Sequence, residues 1–420
     1  MSIDPSCIIV GGGPAGAMLA LLLARRGVPV TVLEKHTDLD RSFRGNTLNP
    51  VVLELLDGLG LADRTLALPN AKTTHFTAVD ADGAVRFAEF DTLDSPFPFV
   101  ALVQQADFLP LVFDEVARYP HARLIMGADV QGLIEEGETV RGVVYEKDGE
   151  RHELSAPLVV ACDGRNSAVR AEAGLPLKRY GAPIDVLWFT LPRSDADDEQ
   201  AGAYFRFGRG AMLALMDAGA YWQVGAIIEK GSFPALRARG IDAFRHDVAE
   251  AAPEFADRLE ALTDWKRMAL LGVEVSRLRR WSRPGLLCIG DAAHAMSPVG
   301  MVGINLAIQD AACAADLLTS ELRAGRVDPS TLRDVQRERE RAVRLIQWVQ
   351  VIAHRRVLAP MLGAERPRLP QPERWLMAQA WPRRLASRLI AYGHLWSHRV
   401  SSRSPETTRG TLAVESTPAG

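Results

Sequence analysis

Six residues near the start of the chain, Gly11-Gly12-Gly13-Pro14-Ala15-Gly16, restrict its fold more than any other feature. They follow an apolar run from Cys7 to Val10 and precede a second one from Ala17 to Ala24, which Arg25-Arg26-Gly27 closes. Strand, glycine turn and helix in that order form the receptor for a dinucleotide pyrophosphate. Gly11 permits the tight turn, Gly13 lets phosphate approach the backbone, and Gly16 lets helix and strand pack closely. The start of the helix then offers N–H groups to the anion. Val28 to Leu33 reads as the next strand. At its end Glu34, with Lys35 beside it, stands where an acid would bind ribose hydroxyls.

A chain of 420 residues, 47% hydrophobic and 24% charged, is long enough for two or three structural units with sizeable cores. Its net charge of −3 gives no electrostatic case for nucleic acid. The cysteines Cys7, Cys162, Cys288 and Cys313 include no CxxC pair, and three of them sit in apolar runs. They read as small buried hydrophobes in a reduced, cytoplasmic protein. No uninterrupted apolar run reaches membrane-spanning length. Helices are expected over 49–59, 107–119, 242–262, 303–322 and much of 331–358. Strands are expected around a hairpin at Asp82-Gly83, near 123–126, 140–146 and 152–161, and over 286–289. The opening alternation implies an α/β, Rossmann-like parallel sheet, and the strand-rich stretches imply a second, mostly antiparallel layer. The expected partition assigns 1–71, 101–175 and 276–340 to the nucleotide-binding unit. It assigns 72–100 and 176–275 to an inserted substrate-binding unit, 341–400 to C-terminal helices, and 401–420 to a polar, disordered tail.

Two later motifs narrow the dinucleotide. Residues 159–170 read Val-Val-Ala-Cys-Asp-Gly-Arg-Asn-Ser-Ala-Val-Arg, placing Asp163-Gly164 after an apolar strand. Residues 286–305 run from Leu-Leu-Cys-Ile-Gly-Asp to Ser-Pro-Val-Gly-Met-Val-Gly-Ile-Asn, placing Asp291 at the end of another. Ligands of such sheets bind at that edge. Asp291 there could accept a hydrogen bond from a ribityl hydroxyl, and the helix opening at Gly303 could face a flavin ring and stabilise negative charge on it.

With these three motifs in this order the chain resembles the FAD-dependent aromatic hydroxylases of the para-hydroxybenzoate hydroxylase fold, over most of residues 5 to 350. The resemblance implies an FAD-dependent monooxygenase that uses NAD(P)H as a transient co-substrate and O2 to hydroxylate an apolar, aromatic small molecule through a flavin C4a-hydroperoxide. It implies that Gly11, Gly13, Ala15 and Gly16 hold the pyrophosphate, Glu34 the adenosine ribose, and Val130 the adenine through its backbone. Arg44 and Gln105 would contact FAD, with Gln104 as an alternative to Gln105. Asp163 and Gly164 would serve FAD and NAD(P)H, Asp291 the ribityl chain, and Pro298, Gly300, Gly303, Ile304 and Asn305 the flavin ring. The family often has Gly-Gly or Gly-Ala where this chain has Gly300-Met301, so Met301 either narrows the oxygen site or points into the core. His294 fits a structural hydrogen bond better than a base.

Alternatives within the same fold are a reductase or oxidase, an epoxidase and a Baeyer–Villiger enzyme. A halogenase would show Trp-x-Trp-x-Ile-Pro, which Tyr221-Trp222-Gln223-Val224 does not match, and a non-catalytic flavoprotein is the reading from another class. The aromatic residues Tyr204, Phe205, Phe207, Tyr221 and Trp222 could line an apolar pocket, and strand alternation must decide which do. Leu385, Leu389, Tyr392 and Trp396 fall at helical spacing among arginines, which reads as packing on the body or as a membrane-surface helix, the former preferred. The chain is expected to be a monomer or homodimer.

Overall fold

Four apolar runs, Cys7–Val10, Val30–Glu34, Leu158–Ala161 and Leu286–Cys288, are buried along their whole length. That pattern belongs to a parallel sheet covered on both faces. In the computed structural model, which describes residues 4–39, 47–194, 197, 203–208, 211–362, 364 and 366–394, they form it. The order across this six-stranded sheet is Ser282–Arg283, Leu286–Cys288, Leu158–Ala161, Cys7–Val10, Val30–Glu34 and Ala122–Met126, with only the first strand antiparallel. Helices Pro14–Arg25 and Gly303–Arg323 pack against one another on this sheet and bury Met18, Leu22, Leu306 and Ala311. The expected fold class, α/β with an inserted antiparallel layer and C-terminal helices, is the one observed.

That second layer is a seven-stranded sheet, and all but one of its pairings are antiparallel. It draws on His75–Asp80, Gly83–Glu89, Ile184–Pro192, Ala203–Gly208, Ala211–Asp217, Tyr221–Glu229 and Ala269–Gly272. Strand alternation gives it two faces. Leu187, Phe189, Leu213, Trp222 and Val224 pack with Phe244 and Val248 of helix Ile241–Ala251. Val186, Trp188, Phe205, Met212 and Ile227 point the other way, where Val299 packs beside them.

The structure differs from the sequence expectation at three elements. The run expected over 152–161 is two strands, Glu150–Ser155 and Leu158–Ala161, in different sheets. Pro157 cannot donate to a ladder and marks the switch. The helix expected over 242–262 ends at Ala251, and Pro253 opens a 3-10 segment, Pro253–Ala261. In helix Ala380–Tyr392, Leu389 and Tyr392 pack on the body, but Trp381 and Leu385 are exposed. The side that seats on strand Gly83–Glu89 is the one carrying Ser387, whose hydroxyl accepts the Glu89 N–H. Trp396 and the tail 401–420 lie outside the described residues. Among the described residues no helix is long and apolar enough to cross a membrane.

The first turn leaves no room for side chains. A Cβ on Gly16 would lie 2.0 Å from the Gly11 carbonyl oxygen, and one on Gly11 would lie 2.5 Å from the Cys162 carbonyl oxygen. Both obstacles are backbone, so neither can swing aside. Gly16→Ala is therefore expected to lower stability by about 1–3 kcal/mol, measured by urea denaturation of the flavin-free protein. An unchanged midpoint would mean that helix and strand are not in such close contact.

Candidate active site

Parallel pairing brings the three motifs to one edge. Val10 is level with Ala161 and with Leu33, and Ala161 with Cys288, so the turns that follow lie side by side. Backbone bonds carry this past the strands. The Gly11 N–H donates to Leu33 O (2.8 Å), Cys162 N–H to Val10 O (2.7 Å) and Ile289 N–H to Ala161 O (3.1 Å).

Helix Pro14–Arg25 has no capping side chain and no acid in its first turn, so the N–H groups of Ala15 and Gly16 keep their anion-binding capacity. Beside the turn, the Gly13 Cβ position has no atom within 4 Å. Glu34 is buried, and its carboxylate accepts from the Gly12 N–H (2.7 Å) and the His36 N–H (3.0 Å). Lys35 next to it is exposed. The Ala128 N–H donates to Glu34 O (2.9 Å), which brings Val130, at the start of strand Asp129–Glu136, close to the same corner. Arg44 lies outside the described residues.

The second and third motifs are tied together. Asp163 Oδ2 accepts from the Val169 N–H (3.2 Å), while its Oδ1 is buried without a protein partner. Burial pushes this carboxyl up, against the hydrogen bonds it receives from Ser167 and Val169. Gly164 turns with φ of 84°. Arg170 bridges the motifs by donating to Ala292 O (3.0 Å) and Arg165 O (2.7 Å), and Arg165 pairs with the partly exposed Asp291 at 3.6 Å.

Behind Asp291 is a buried carboxylate that the sequence reading did not single out. Asp310, on helix Gly303–Arg323, accepts from the Gly290 N–H (3.1 Å) and lies 2.6 Å from His294 Nε2 and 2.8 Å from Arg339 Nε. Burial disfavours its charge, but His294 and Arg339 outweigh that and hold its carboxyl below the usual range. His294 makes a buried hydrogen bond here. The signal for Asp310 in the sequence was an acid inside the apolar stretch Leu306 to Ala315.

The turn over 297–303 is also held from behind. Gln350 Nε2 donates to Ser297 O (2.9 Å) and Val299 O (2.8 Å), and its Oε1 accepts the Ser297 N–H (3.1 Å). Ser297 Oγ lies 2.8 Å from His354 Nε2. His354 opens a π-helical turn, His354–Leu358, at the end of helix Pro329–Ala353. Pro298, Gly300, Gly303 and Ile304 are partly exposed along this turn. Asn305 is buried, and its amide is taken up by Asn49 N–H, Thr47 O and Met301 O, so it braces the turn.

Opposite the turn lies the inner face of the seven-stranded sheet. Phe205 and Phe207 are on that face, as are Tyr221 and Gln223 by alternation, whereas Tyr204 and Trp222 point to the helices behind. The Trp188 indole lies over Gly225, where a Cβ would come within 2.8 Å of it. Gln104 and Gln105, which open helix Gln105–Val116, are at one end, and Gln104 Nε2 donates to Gln223 Oε1 (3.2 Å). Burial, and after it the Asp107 charge, raises the Tyr221 phenol.

An uncapped helix over a glycine turn, an orphaned buried carboxylate oxygen and a second acid at a neighbouring strand end fit a flavin dinucleotide laid along the sheet edge. This is a flavoprotein fold in which the turn over 297–303 lies beside an aromatic sheet face. Residues 4–348 match the family described as FAD binding domain, and the chain belongs to that family. It is 34% identical over 389 residues to 6-methylpretetramide 4-monooxygenase of Streptomyces rimosus, covering 92% of this chain and 91% of the relative. It is 27% identical over 324 residues to rifampicin monooxygenase of Streptomyces venezuelae, covering 72% of this chain and 62% of that protein. Among solved structures, PqsL, a probable FAD-dependent monooxygenase from Pseudomonas aeruginosa, superposes with a TM-score of 0.73 at 22% identity over 86% of this chain and 98% of that one. The chain is an FAD-dependent oxidoreductase of the monooxygenase class.

Burial pushes the His354 imidazole down to about 4 from 6.5. Above pH 6.5 it is neutral folded or unfolded and contributes nothing. Below that, the unfolded chain binds a proton that the folded chain refuses, so stability falls until the folded site also titrates. His354→Gln should therefore lose less stability than the parent between pH 6.5 and about 4. Parallel urea melts at pH 7 and pH 5 check this, and equal losses would place His354 in contact with water.

Proposed function

We propose that this chain hydroxylates an apolar aromatic small molecule, consuming NAD(P)H and O2 and returning NAD(P)+ and water. The observation that carries this reading is the apolar face of Trp188, Phe205, Met212 and Ala214 set opposite the turn over 297–303. Relatives named as monooxygenases of 6-methylpretetramide and of pentachlorophenol support the aromatic class. So does the solved complex of PqsL with 2-aminobenzoylacetate.

Bound FAD supplies electron storage and oxygen activation. The chain positions the cofactor and keeps water away from it. The backbone of Gly11, Gly13, Ala15 and Gly16 receives the pyrophosphate, Glu34 the adenosine ribose, with Lys35 at its edge, and the Val130 backbone the adenine. By the family resemblance, Arg44 and Gln105 would contact the cofactor. Asp163 and Gly164 would serve FAD and NAD(P)H, Asp291 would bind a ribityl hydroxyl, and Pro298, Gly300, Gly303 and Ile304 would border the ring, with Asn305 bracing their turn. At the substrate end, Gln104, Gln223 and Tyr221 offer a polar corner of a mostly apolar wall, suited to one hydroxyl or carbonyl of the substrate.

Purified yellow protein should oxidise NADH or NADPH faster when a fitting hydroxyarene is added, with one atom of labelled O2 appearing in the product by mass spectrometry. Brisk flavin reduction without an oxygenated product across a broad panel would replace hydroxylation by a reductase or oxidase activity. Asp291→Ala should weaken FAD binding about 10- to 100-fold, the worth of a hydrogen bond to a charged group, in a fluorescence titration of the apoprotein. Wild-type retention would remove Asp291 from the ribityl chain.

A further inference from the structure

Two successive residues of the flavin-facing turn have left-handed backbone, Gly300 with φ of 84° and Met301 with φ of 54°. Glycine adopts this freely, but a long side chain rarely does. Among the described residues the one other non-glycine with positive φ is Asp148, a hairpin-turn residue. Hydrogen bonds hold Met301 in this conformation. Its N–H donates to Pro298 O (2.9 Å), and its carbonyl accepts from Thr47 Oγ1 (3.0 Å) and Asn305 Nδ2 (3.2 Å).

Held this way, the Met301 side chain crosses to the sheet. It is half-buried against a cluster containing Phe76, Phe90, Leu102 and Met216. Val299, two residues earlier, packs against the adjoining cluster of Ile184, Val186 and Met212. Trp188 and Phe205 belong to both clusters, so the two loop side chains close on one aromatic floor. The turn's own geometry would be better served by glycine. A flexible thioether kept there at the cost of strain, and only half-buried, is explained by what the side chain does in the gap.

We propose that Met301 is a specificity-determining residue: its side chain sets the depth of the apolar space between the 297–303 turn and the sheet face, and so limits the size of aromatic ring system that can be seated there. The proposal rests on the reading that this space receives the aromatic substrate. Shortening the side chain should deepen the space without disturbing the backbone, because glycine meets every conformational demand of position 301.

The test is equilibrium dialysis of the FAD-loaded wild type, M301G, M301A and M301L against 1-naphthol and 1-hydroxyanthraquinone. M301G should shift the affinity ratio toward the three-ring compound by about tenfold, the scale on which a filled or emptied apolar pocket discriminates. M301A should move it the same way, which keeps the test standing should the glycine variant misfold. M301L, which conserves volume, should stay within about threefold of wild type. FAD affinity, read from flavin fluorescence on the apoproteins, should be the same in all four. An unchanged ratio overturns the proposal, as does failure of every protein to retain either compound, or a loss of FAD affinity with no change of ratio, which would confine Met301 to shaping the turn. Product analysis is read separately. A ratio that shifts while neither compound is hydroxylated leaves Met301 as the selector and counts against the monooxygenase reading.

Discussion

Everything at the active site depends on strands that run in the same direction. Antiparallel neighbours would send successive turns to opposite edges of the sheet. Parallel ones deliver the turns after Val10, Ala161 and Cys288, and the acid ending Val30–Glu34, to one edge. The physical requirement is that both faces of every strand be covered. The full burial of these four runs shows that helices Pro14–Arg25 and Gly303–Arg323 and their neighbours meet it. One edge then gathers the glycine turn, the buried Glu34 and the strand-end acids Asp163 and Asp291.

The acids themselves illustrate how burial is made tolerable. Asp310 carries charge at a wholly buried position because His294, Arg339 and the Gly290 N–H satisfy it. Removing any one partner would leave a buried charge short of compensation, which is more disruptive than never having had the pair. Its oxygen on Gly290 fixes the bend from which the partly exposed Asp291 projects to pair with Arg165. Asp163 is the converse case. One oxygen is used by the Val169 N–H and the other is buried with no protein partner.

What the sequence made legible was whatever is local. The glycine turn, the two strand-end acids and the hairpin at Asp82-Gly83 each reside in a handful of consecutive residues whose chemistry allows few conformations. The resemblance built on those motifs carried the fold class and the enzyme class with it. Orientation on the antiparallel sheet was illegible, because Tyr204-Phe205 and Tyr221-Trp222 are adjacent aromatic pairs and register alone sends one of each inward. Pairs distant in sequence were equally hidden. Nothing around Ser297 announces His354, and nothing around Asp310 announces Arg339, since each meeting is made by how helix Pro329–Ala353 packs. The end of the 242–262 helix, by contrast, could have been read from Pro253.

The turn over 297–303 joins these levels. From behind, Gln350 takes three of its backbone groups and His354 its Ser297 hydroxyl. From the side, Asn305 and Thr47 hold the Met301 carbonyl. A segment so over-determined can hold left-handed backbone at a non-glycine residue, where an unsupported loop would relax. The widened π turn at His354–Leu358 belongs to the same device. An uninterrupted α-helix would rotate every later residue by a fixed step, and inserting one wider turn changes the face that the following residues present. Leu358, at its end, packs against the sheet-face cluster that also receives Val299. The back of the turn over 297–303 and the apolar wall opposite it are thus held by one helix and its wide turn. Where Val299 and Met301 meet the sheet face, both sides are therefore rigid elements, and side chains of the turn, rather than movements of the backbone, are left to set the spacing.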